Sequence, residues 1–253
     1  RQAMKVFKAV GMTAAEVEET LGEAALLSRI GHPNIVRVFD ANTVDVEAGR
    51  VGFFTMEHVA GGSLADFWRA HGDRFVPVET AVEVGRQIAR GLAVAHRESP
   101  PVVHRDVKPA NVLVGYTATG LRAVLSDFGL ARSVNPLTLL ASSRGTLAFK
   151  APEALTDASA DSTSADVWAV GATLYLLLTD AFPYSGDTED PRALARTYAV
   201  RDPAELNAFV DPSLGRILLR ALAPEPHLRH ADATELLADL EAWTPAPPKP
   251  APP

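Results

Sequence analysis

The sequence predicts an α+β fold in which short strands dominate the beginning of the chain and helices the remainder. Three apolar runs typical of strands occur before residue 57, whereas longer helical patterns follow residue 63. A dense polar segment at residues 103–114 contains β-branched residues at both ends. Hydrophobic residues make up 47% of the 253 residues and charged residues 22%. This composition allows a sizeable core.

The predicted strands cover residues 2–7, 35–39 and 51–56. The first is apolar around Lys5, a pattern that suits a strand whose lysine points into a cleft. An Ala-Gly pair in the polar stretch between the other two favours a hairpin turn.

Helical spacing predicts a first helix over residues 13–30, because Thr13 and Glu16 form a capping-box pattern and Gly31 ends the run. Further helices are predicted at residues 63–71, 78–97, 167–179, 191–200, 212–222 and 233–243. Ser63, with Asp66 at the third position after it, is the expected N-cap of the first of these. The stretch 167–179 is shorter than the roughly 18 residues of a membrane span and predicts a buried helix. His96 has no acidic residue at helical spacing that suggests a catalytic role, and is interpreted as a packing residue.

Residues 104–111 read His-Arg-Asp-x-Lys-Pro-x-Asn and indicate a catalytic loop rather than a polar turn. They are followed by Asp127-Phe128-Gly129 and later by an Ala-Pro-Glu motif that ends at Glu153. With these motifs in this order, the chain resembles eukaryotic-like serine/threonine protein kinases. Its alanine-rich, cysteine-free composition resembles that of bacterial members.

The resemblance extends from residue 1 to about residue 243 and implies a two-lobed protein-kinase-like fold. A truncated β-rich N-lobe would cover residues 1–59, and a mainly helical C-lobe residues 60–243. Residues 244–253 are expected to be a proline-rich linker or tail, with an SH3-type ligand as the alternative.

By the same resemblance, Asp106 is the base that accepts the proton of the substrate hydroxyl, and Lys108 contacts the γ-phosphate. Asn111 and Asp127 supply the oxygen ligands that suit Mg²⁺. Lys5 would hold the α- and β-phosphates of ATP.

The remaining nucleotide contacts are also implied by the resemblance. Glu23 on the first helix would pair with Lys5. Met56 corresponds to the gatekeeper, and Glu57 to Val59 form the hinge, whose backbone would bind the adenine edge. Ala3 and Leu113 complete the expected nucleotide-binding residues.

Residues 130–150 are polar and hydroxyl-rich and resemble an activation loop. Arg105 could bind a phosphate placed on this loop by charge-assisted hydrogen bonds. Ser142 and Ser143 are the leading autophosphorylation candidates, with unmodified serines as the alternative. Thr146 is expected to support the catalytic loop.

Five residues have structural roles in this interpretation. His104 and Phe128 would pack in the regulatory column of the kinase fold. Glu153 and Arg229 match the ion pair that anchors the activation loop to the C-lobe, and Asp166 would hold the catalytic-loop backbone from below.

The resemblance implies protein substrates with serine or threonine acceptors, including the protein itself in trans. Aminoglycoside and choline kinases carry a different catalytic motif, and Arg105 and Lys108 favour protein substrates. The net charge of −7 with scattered basic residues argues against nucleic acid as a partner. No membrane span or signal peptide is expected, and the absence of cysteine fits a cytoplasmic location.

One family feature is not found: no glycine-rich loop precedes Lys5. We expect the loop to lie upstream of Arg1. Two alternatives to an active kinase remain open, namely a pseudokinase-like binding or scaffolding module and the kinase module of a multidomain peptide-modifying synthetase.

Overall fold

The computed structural model describes residues 1–8, 22, 29–46, 49–72, 75–128, 147–157, 160–184 and 190–245. Within these residues, a small sheet at the beginning of the chain is followed by a mainly helical part. The predicted α+β class is therefore confirmed. The predicted helix over residues 13–30 lies almost wholly outside the described residues.

The first sheet contains β1 (Gln2–Lys8), β2 (Val38–Val46) and β3 (Gly49–Glu57), in the antiparallel order β1-β3-β2. Ala3 lies opposite Met56, and Lys5 lies opposite Phe54. Because strand side chains alternate between faces, Ala3 and Lys5 share one face of the sheet.

Strand β2 begins and ends later than the predicted strand over residues 35–39. Ile35 instead forms a parallel bridge to Leu125, and the N–H of Val36 donates to the carbonyl of Leu125 at 2.8 Å. Residues 40–45 continue the strand because they pair with β3 throughout. Their polar side chains sit on a sheet edge and surface where water remains accessible, so polarity did not prevent strand formation.

The helical part begins with α1 (Leu64–Arg69) and α2 (Val78–His96). Ser63 and Asp66 form a capping box at the start of α1, as the sequence predicted for its N-cap. A hairpin of β4 (Val112–Thr117) and β5 (Gly120–Leu125) follows α2.

The later helices are α3 (Pro152–Thr156), α4 (Thr163–Thr179), α5 (Pro191–Ala195), α6 (Pro203–Leu206), α7 (Pro212–Ala221) and α8 (Ala233–Ala242). Helix α4 is buried from Asp166 to Thr179, which confirms the predicted buried helix. It packs closely on α2, where a Cβ at Gly85 would lie 2.8 Å from a Leu174 methyl group. In the described part of the chain, no helix has the length and hydropathy of a membrane span.

The predicted helix over residues 191–200 is too long, because α5 ends at Ala195. Tyr198 forms an isolated bridge with Tyr184, and its hydroxyl donates to the carbonyl of Leu222 at 2.9 Å. These tertiary contacts hold the segment in an irregular conformation that local spacing could not reveal.

Candidate active site

The β4–β5 hairpin brings Asn111 and Asp127, the two predicted metal ligands, to the same place. Asn111 directly precedes β4, and Asp127 follows β5 by two residues. The N–H and the hydroxyl of Ser126 both donate to the carbonyl of Asn111, at 2.9 and 3.0 Å. The hairpin therefore places two residues that are 16 positions apart in the sequence at the same end of one structure.

Asp166, near the start of α4, holds the catalytic loop from inside the helical part. Its carboxylate accepts hydrogen bonds from the N–H groups of His104, at 2.7 Å, and Arg105, at 2.8 Å. Arg105 has a φ of 69°, an uncommon conformation for a side-chain-bearing residue. The two hydrogen bonds help to hold the backbone in this turn.

His96 is a third partner of Asp166, and this contact corrects the interpretation of His96 as a packing residue alone. Its Nε2 lies 3.0 Å from Oδ2 of Asp166, and its Nδ1 accepts from the N–H of Ala233 at 3.3 Å. Burial alone would raise the pKa of Asp166, but its hydrogen bond and charge interactions with His96, together with those of His104, hold the pKa below the ordinary value.

The carboxylate of Asp106 is oriented by two neighbours on the same loop. Nζ of Lys108 and Nδ2 of Asn111 each lie 2.8 Å from Asp106 Oδ2. Nδ2 of Asn111 also donates to the Asp106 carbonyl at 2.8 Å. The contacts leave the amide oxygen of Asn111 as the atom of that side chain that could bind a cation.

Lys5 reaches across from the sheet to Asp127, with Nζ 2.5 Å from Oδ1. Asp127 has a φ of 63°, so its backbone also turns sharply at this point. The contact joins the predicted phosphate-binding lysine to a predicted metal ligand.

The donor types at Asn111 and Asp127 fit Mg²⁺. Magnesium ions are commonly held by one or two protein oxygen ligands together with substrate phosphates. Among the described residues, no group of three or more histidine or acidic side chains could hold a metal ion by itself. A magnesium ion at this site would thus depend on phosphate oxygens as well as on the two side chains.

Arg105 is partly buried, and its Nε lies 3.7 Å from a carboxylate oxygen of Asp161. Lys150 donates from Nζ to the Arg105 carbonyl at 2.7 Å. Lys150 was not singled out from the sequence, because a lysine at the end of a polar stretch carries no local signal of its partner.

The predicted hinge connects the sheet with α1. Met56 and Glu57 end β3, and Val59 follows them with a partly buried side chain. Leu113 lies on β4 and forms an isolated bridge with Ser63, so the chain beyond the hinge lies against β4.

His104 and Phe128 pack together inside the molecule. Both are buried, and their ring centroids are 4.3 Å apart. Burial lowers the pKa of His104 despite the nearby carboxylates of Asp166, Asp106 and Asp127. The ring therefore favours its neutral form.

Arg229 and Glu153 form a bidentate ion pair with two N–O distances of 2.7 Å. The guanidinium also donates to the carbonyls of Ala223 and Pro224 and lies over the ring of Trp168, 5.0 Å from its centroid. These contacts fix the start of α3 against the helical part.

Four predicted site residues, Glu23, Ser142, Ser143 and Thr146, lie outside the described residues. The pairing of Lys5 with Glu23 and the activation-loop roles thus stay predictions.

Like Lys150, Arg122 on β5 was not singled out from the sequence. Its guanidinium pairs with Glu57 at the end of β3, and the two residues are 65 positions apart. Such a contact leaves no pattern of spacing in one sequence.

Comparisons with known proteins agree with this geometry. Residues 1–240 match the family model described as Protein kinase domain. Serine/threonine-protein kinase PknB of Mycobacterium leprae (strain TN) is 33% identical over 224 residues, which cover 86% of this chain and 34% of that protein. Serine/threonine-protein kinase PknL of Mycobacterium tuberculosis (strain CDC 1551 / Oshkosh) is 36% identical over 225 residues, which cover 87% of this chain and 53% of that protein.

Among solved structures, the crystal structure of Rad53 kinase domain and SCD2 matches with a TM-score of 0.71 at 26% identity. The match covers 96% of this chain and 83% of that chain. The chain spans about a third of the length of the PknB relatives that it matches. Since the family model covers nearly the whole sequence, the chain belongs to the protein kinase family, within its eukaryotic-like serine/threonine branch of bacterial type.

Proposed function

We propose that this protein transfers the γ-phosphate of ATP to serine or threonine hydroxyl groups of protein substrates. The observation that carries the proposal is the setting of Asp106, whose Oδ2 lies 2.8 Å from both Lys108 Nζ and Asn111 Nδ2. A carboxylate held in this way can orient a hydroxyl group and accept its proton. Relatives that are named serine/threonine-protein kinases support the choice of acceptor.

Catalysis of phosphoryl transfer depends mainly on positioning and on stabilisation of charge. In this proposal Asp106 orients the hydroxyl group, while Lys108 contacts the γ-phosphate and Lys5 holds the α- and β-phosphates. Mg²⁺ bound with ATP would neutralise charge on the phosphate oxygens, and Asn111 and Asp127 would hold it.

The adenine would lie between the sheet and β4. Backbone groups from Glu57 to Val59 would bind its edge, and the side chains of Ala3, Met56 and Leu113 would contact its faces. The proposal places the reaction in the cytoplasm, where ATP is available.

Regulation by activation-loop phosphorylation is part of the same proposal. The protein itself would act in trans on Ser142 or Ser143, and Arg105 would bind the phosphate. Thr146 would support the catalytic loop. Phosphopeptide mapping after incubation with ATP and Mg²⁺ tests this part, and a loop without phosphate would contradict it.

A second candidate is a nucleotide-binding module with negligible transfer. The contact between Lys5 and Asp127 favours it, because a pair that persisted would occupy a proposed metal ligand that transfer needs, while the hinge contacts to adenine would remain. A binding module would retain ATP without passing phosphate to an acceptor.

The two candidates are separated with the full-length protein, labelled ATP, Mg²⁺ and a generic acceptor protein. We expect label on serine and threonine, and a loss of about a hundredfold to ten-thousandfold in the transfer rate on Asp106→Asn, with ATP binding retained. Glu98→Gln, which changes an exposed carboxylate beyond α2, is the matched control and should leave the rate unchanged. Equal rates for Asp106→Asn and the unsubstituted protein would contradict the assignment, and ATP binding without any transfer would favour the second candidate.

A further inference from the structure

Arg122 connects two parts of the N-terminal region to strand β5. Its Nη1 and Nη2 donate to the two carboxylate oxygens of Glu57 at 2.5 and 3.1 Å. Its Nε donates to the carbonyl of Pro33 at 2.8 Å. Three nitrogens of one planar guanidinium thus bind the hinge on one side and the segment before β2 on the other.

The position of Glu57 makes this contact relevant to nucleotide binding. Glu57 is the last residue of β3 and the first residue of the predicted hinge. Its N–H donates to the carbonyl of Arg37 at 2.8 Å, so its backbone is held by the residue before β2 while its side chain is held from β5. The carbonyl of Glu57 therefore has little freedom to move relative to β4 and β5.

The segment before β2 is itself fixed to β5. Nδ2 of Asn34 donates to the carbonyl of Ala123 at 2.8 Å, and the N–H of Leu125 donates to the carbonyl of Asn34 at 2.8 Å. Arg122 extends this row of contacts by one position, to Pro33. A rigidly held segment and the hinge are consequently joined through one side chain.

The strength of the pair follows from its geometry and surroundings. The side chains of Arg122 and Glu57 are 27% and 28% exposed, so water screens their charges less than on an open surface. The hydrogen bond from Arg122 is the main cause that holds the pKa of Glu57 below its ordinary value. Only arginine offers a planar fork that binds both carboxylate oxygens and has a third donor for a carbonyl.

We propose that Arg122 is a positioning residue for adenine recognition. Through its contact with Glu57, it fixes the position of the hinge backbone relative to β4. This inference rests on the proposed ATP site. It predicts that loss of the clamp formed by Arg122, Glu57 and Pro33 weakens ATP binding, while the catalytic loop, which Asp166 holds separately, continues to work.

The test measures the ATP dissociation constant of the full-length protein by calorimetry, together with KM for ATP and kcat. We expect Arg122→Gln and Glu57→Gln each to raise Kd and KM by about fivefold or more, with kcat within about twofold of the unsubstituted protein. Arg122→Lys should restore part of the affinity, because it keeps the charge but loses the fork. The double variant should bind ATP no more weakly than the weaker single variant, since both single substitutions remove the same ion pair between Arg122 and Glu57.

Arg90→Gln is the matched control, because Arg90 pairs with Glu241 between α2 and α8, away from the cleft. It should leave Kd unchanged, and a cooperative thermal transition of Arg122→Gln without nucleotide would show that this variant is folded. An unchanged Kd in Arg122→Gln, additive losses in the double variant, or a fall in kcat at constant KM would overturn the inference. ATP binding without phosphate transfer by the unsubstituted protein would contradict the proposed function alone, because Kd still reports on the clamp. Absence of ATP binding would overturn both.

Discussion

Asp166 beneath the catalytic loop is 1% exposed and accepts hydrogen bonds from two backbone N–H groups and from His96. At the proposed ATP site, the side chains of Lys5 and Asp127 are 38% and 22% exposed and contact each other. A buried carboxylate cannot lose its partners without leaving groups unsatisfied, whereas a partly exposed ion pair can exchange them for ligand charges. Asp166 is thus a permanent support, whereas the Lys5–Asp127 pair is a contact that the proposed ligands, ATP and Mg²⁺, would replace.

The largest expected effect on folding stability comes from Asp166→Ala, which removes the permanent support. Three donors, two of them on buried histidines, would lose their acceptor, and we expect a fall of about 3–5 kcal/mol in the free energy of unfolding. Urea denaturation measures this change. Asp40→Ala, which removes an exposed carboxylate on β2, should change stability by less than about 0.5 kcal/mol. Similar values for the two variants would show that the folded state does not depend on Asp166 as a permanent support.

His104, which packs beside the buried support, makes the stability of the protein depend on pH. Its Nδ1 accepts from the N–H of Asp106 at 3.3 Å, and its Nε2 lies 2.9 Å from the carbonyl of Ser126. The folded state therefore requires a neutral ring, and burial lowers the pKa of His104. Below an unfolded pKa of about 6.5, the unfolded chain binds a proton that the folded site excludes, so stability falls as pH falls.

We expect the unsubstituted protein to lose more stability than His104→Phe between pH 7.5 and 5.5, by at most about 1.4 kcal/mol per pH unit. The difference between the two proteins isolates His104 from His230, whose pKa burial also lowers. Denaturation curves at several pH values provide the measurement. Parallel dependences on pH would show that His104 does not titrate on unfolding.

The smallest expected effect on stability comes from Lys5→Met in the cleft. The ion pair with Asp127 is more than one third exposed at Lys5, so its loss should lower the free energy of unfolding by less than about 1 kcal/mol. ATP binding should nevertheless weaken strongly, because the variant loses the proposed phosphate contact. Calorimetry with ATP and urea denaturation together test this contrast. A large loss of stability with intact ATP binding would assign Lys5 to the permanent support instead.

Local patterns predicted much of this molecule. The buried helix α4 and the capping box of α1 follow from apolar length and cap residues, which act over a few positions. The limits of β2 and α5 could not be predicted in the same way. Pairing with β3 extends β2 through polar residues, and Tyr198 contacts end α5 early.

The candidate site shows the same division. Asp106, Lys108 and Asn111 were predicted together because they lie within six consecutive residues. The contact of His96 with Asp166 and that of Arg122 with Glu57 were not predicted, since the first pair is 70 residues apart and the second 65.

By itself, the sequence determined which chemical groups are available at residues 104–111 and 127–128, and hence the family to which the chain belongs. Only the tertiary structure decided which further residues hold those groups: His96, which binds Asp166 beneath the loop, and Arg122 beside the hinge. The physical reason is range. Motif spacing and helix periodicity act between near neighbours in the chain, whereas ion pairs and buried hydrogen bonds form between residues that meet only when the whole chain has folded.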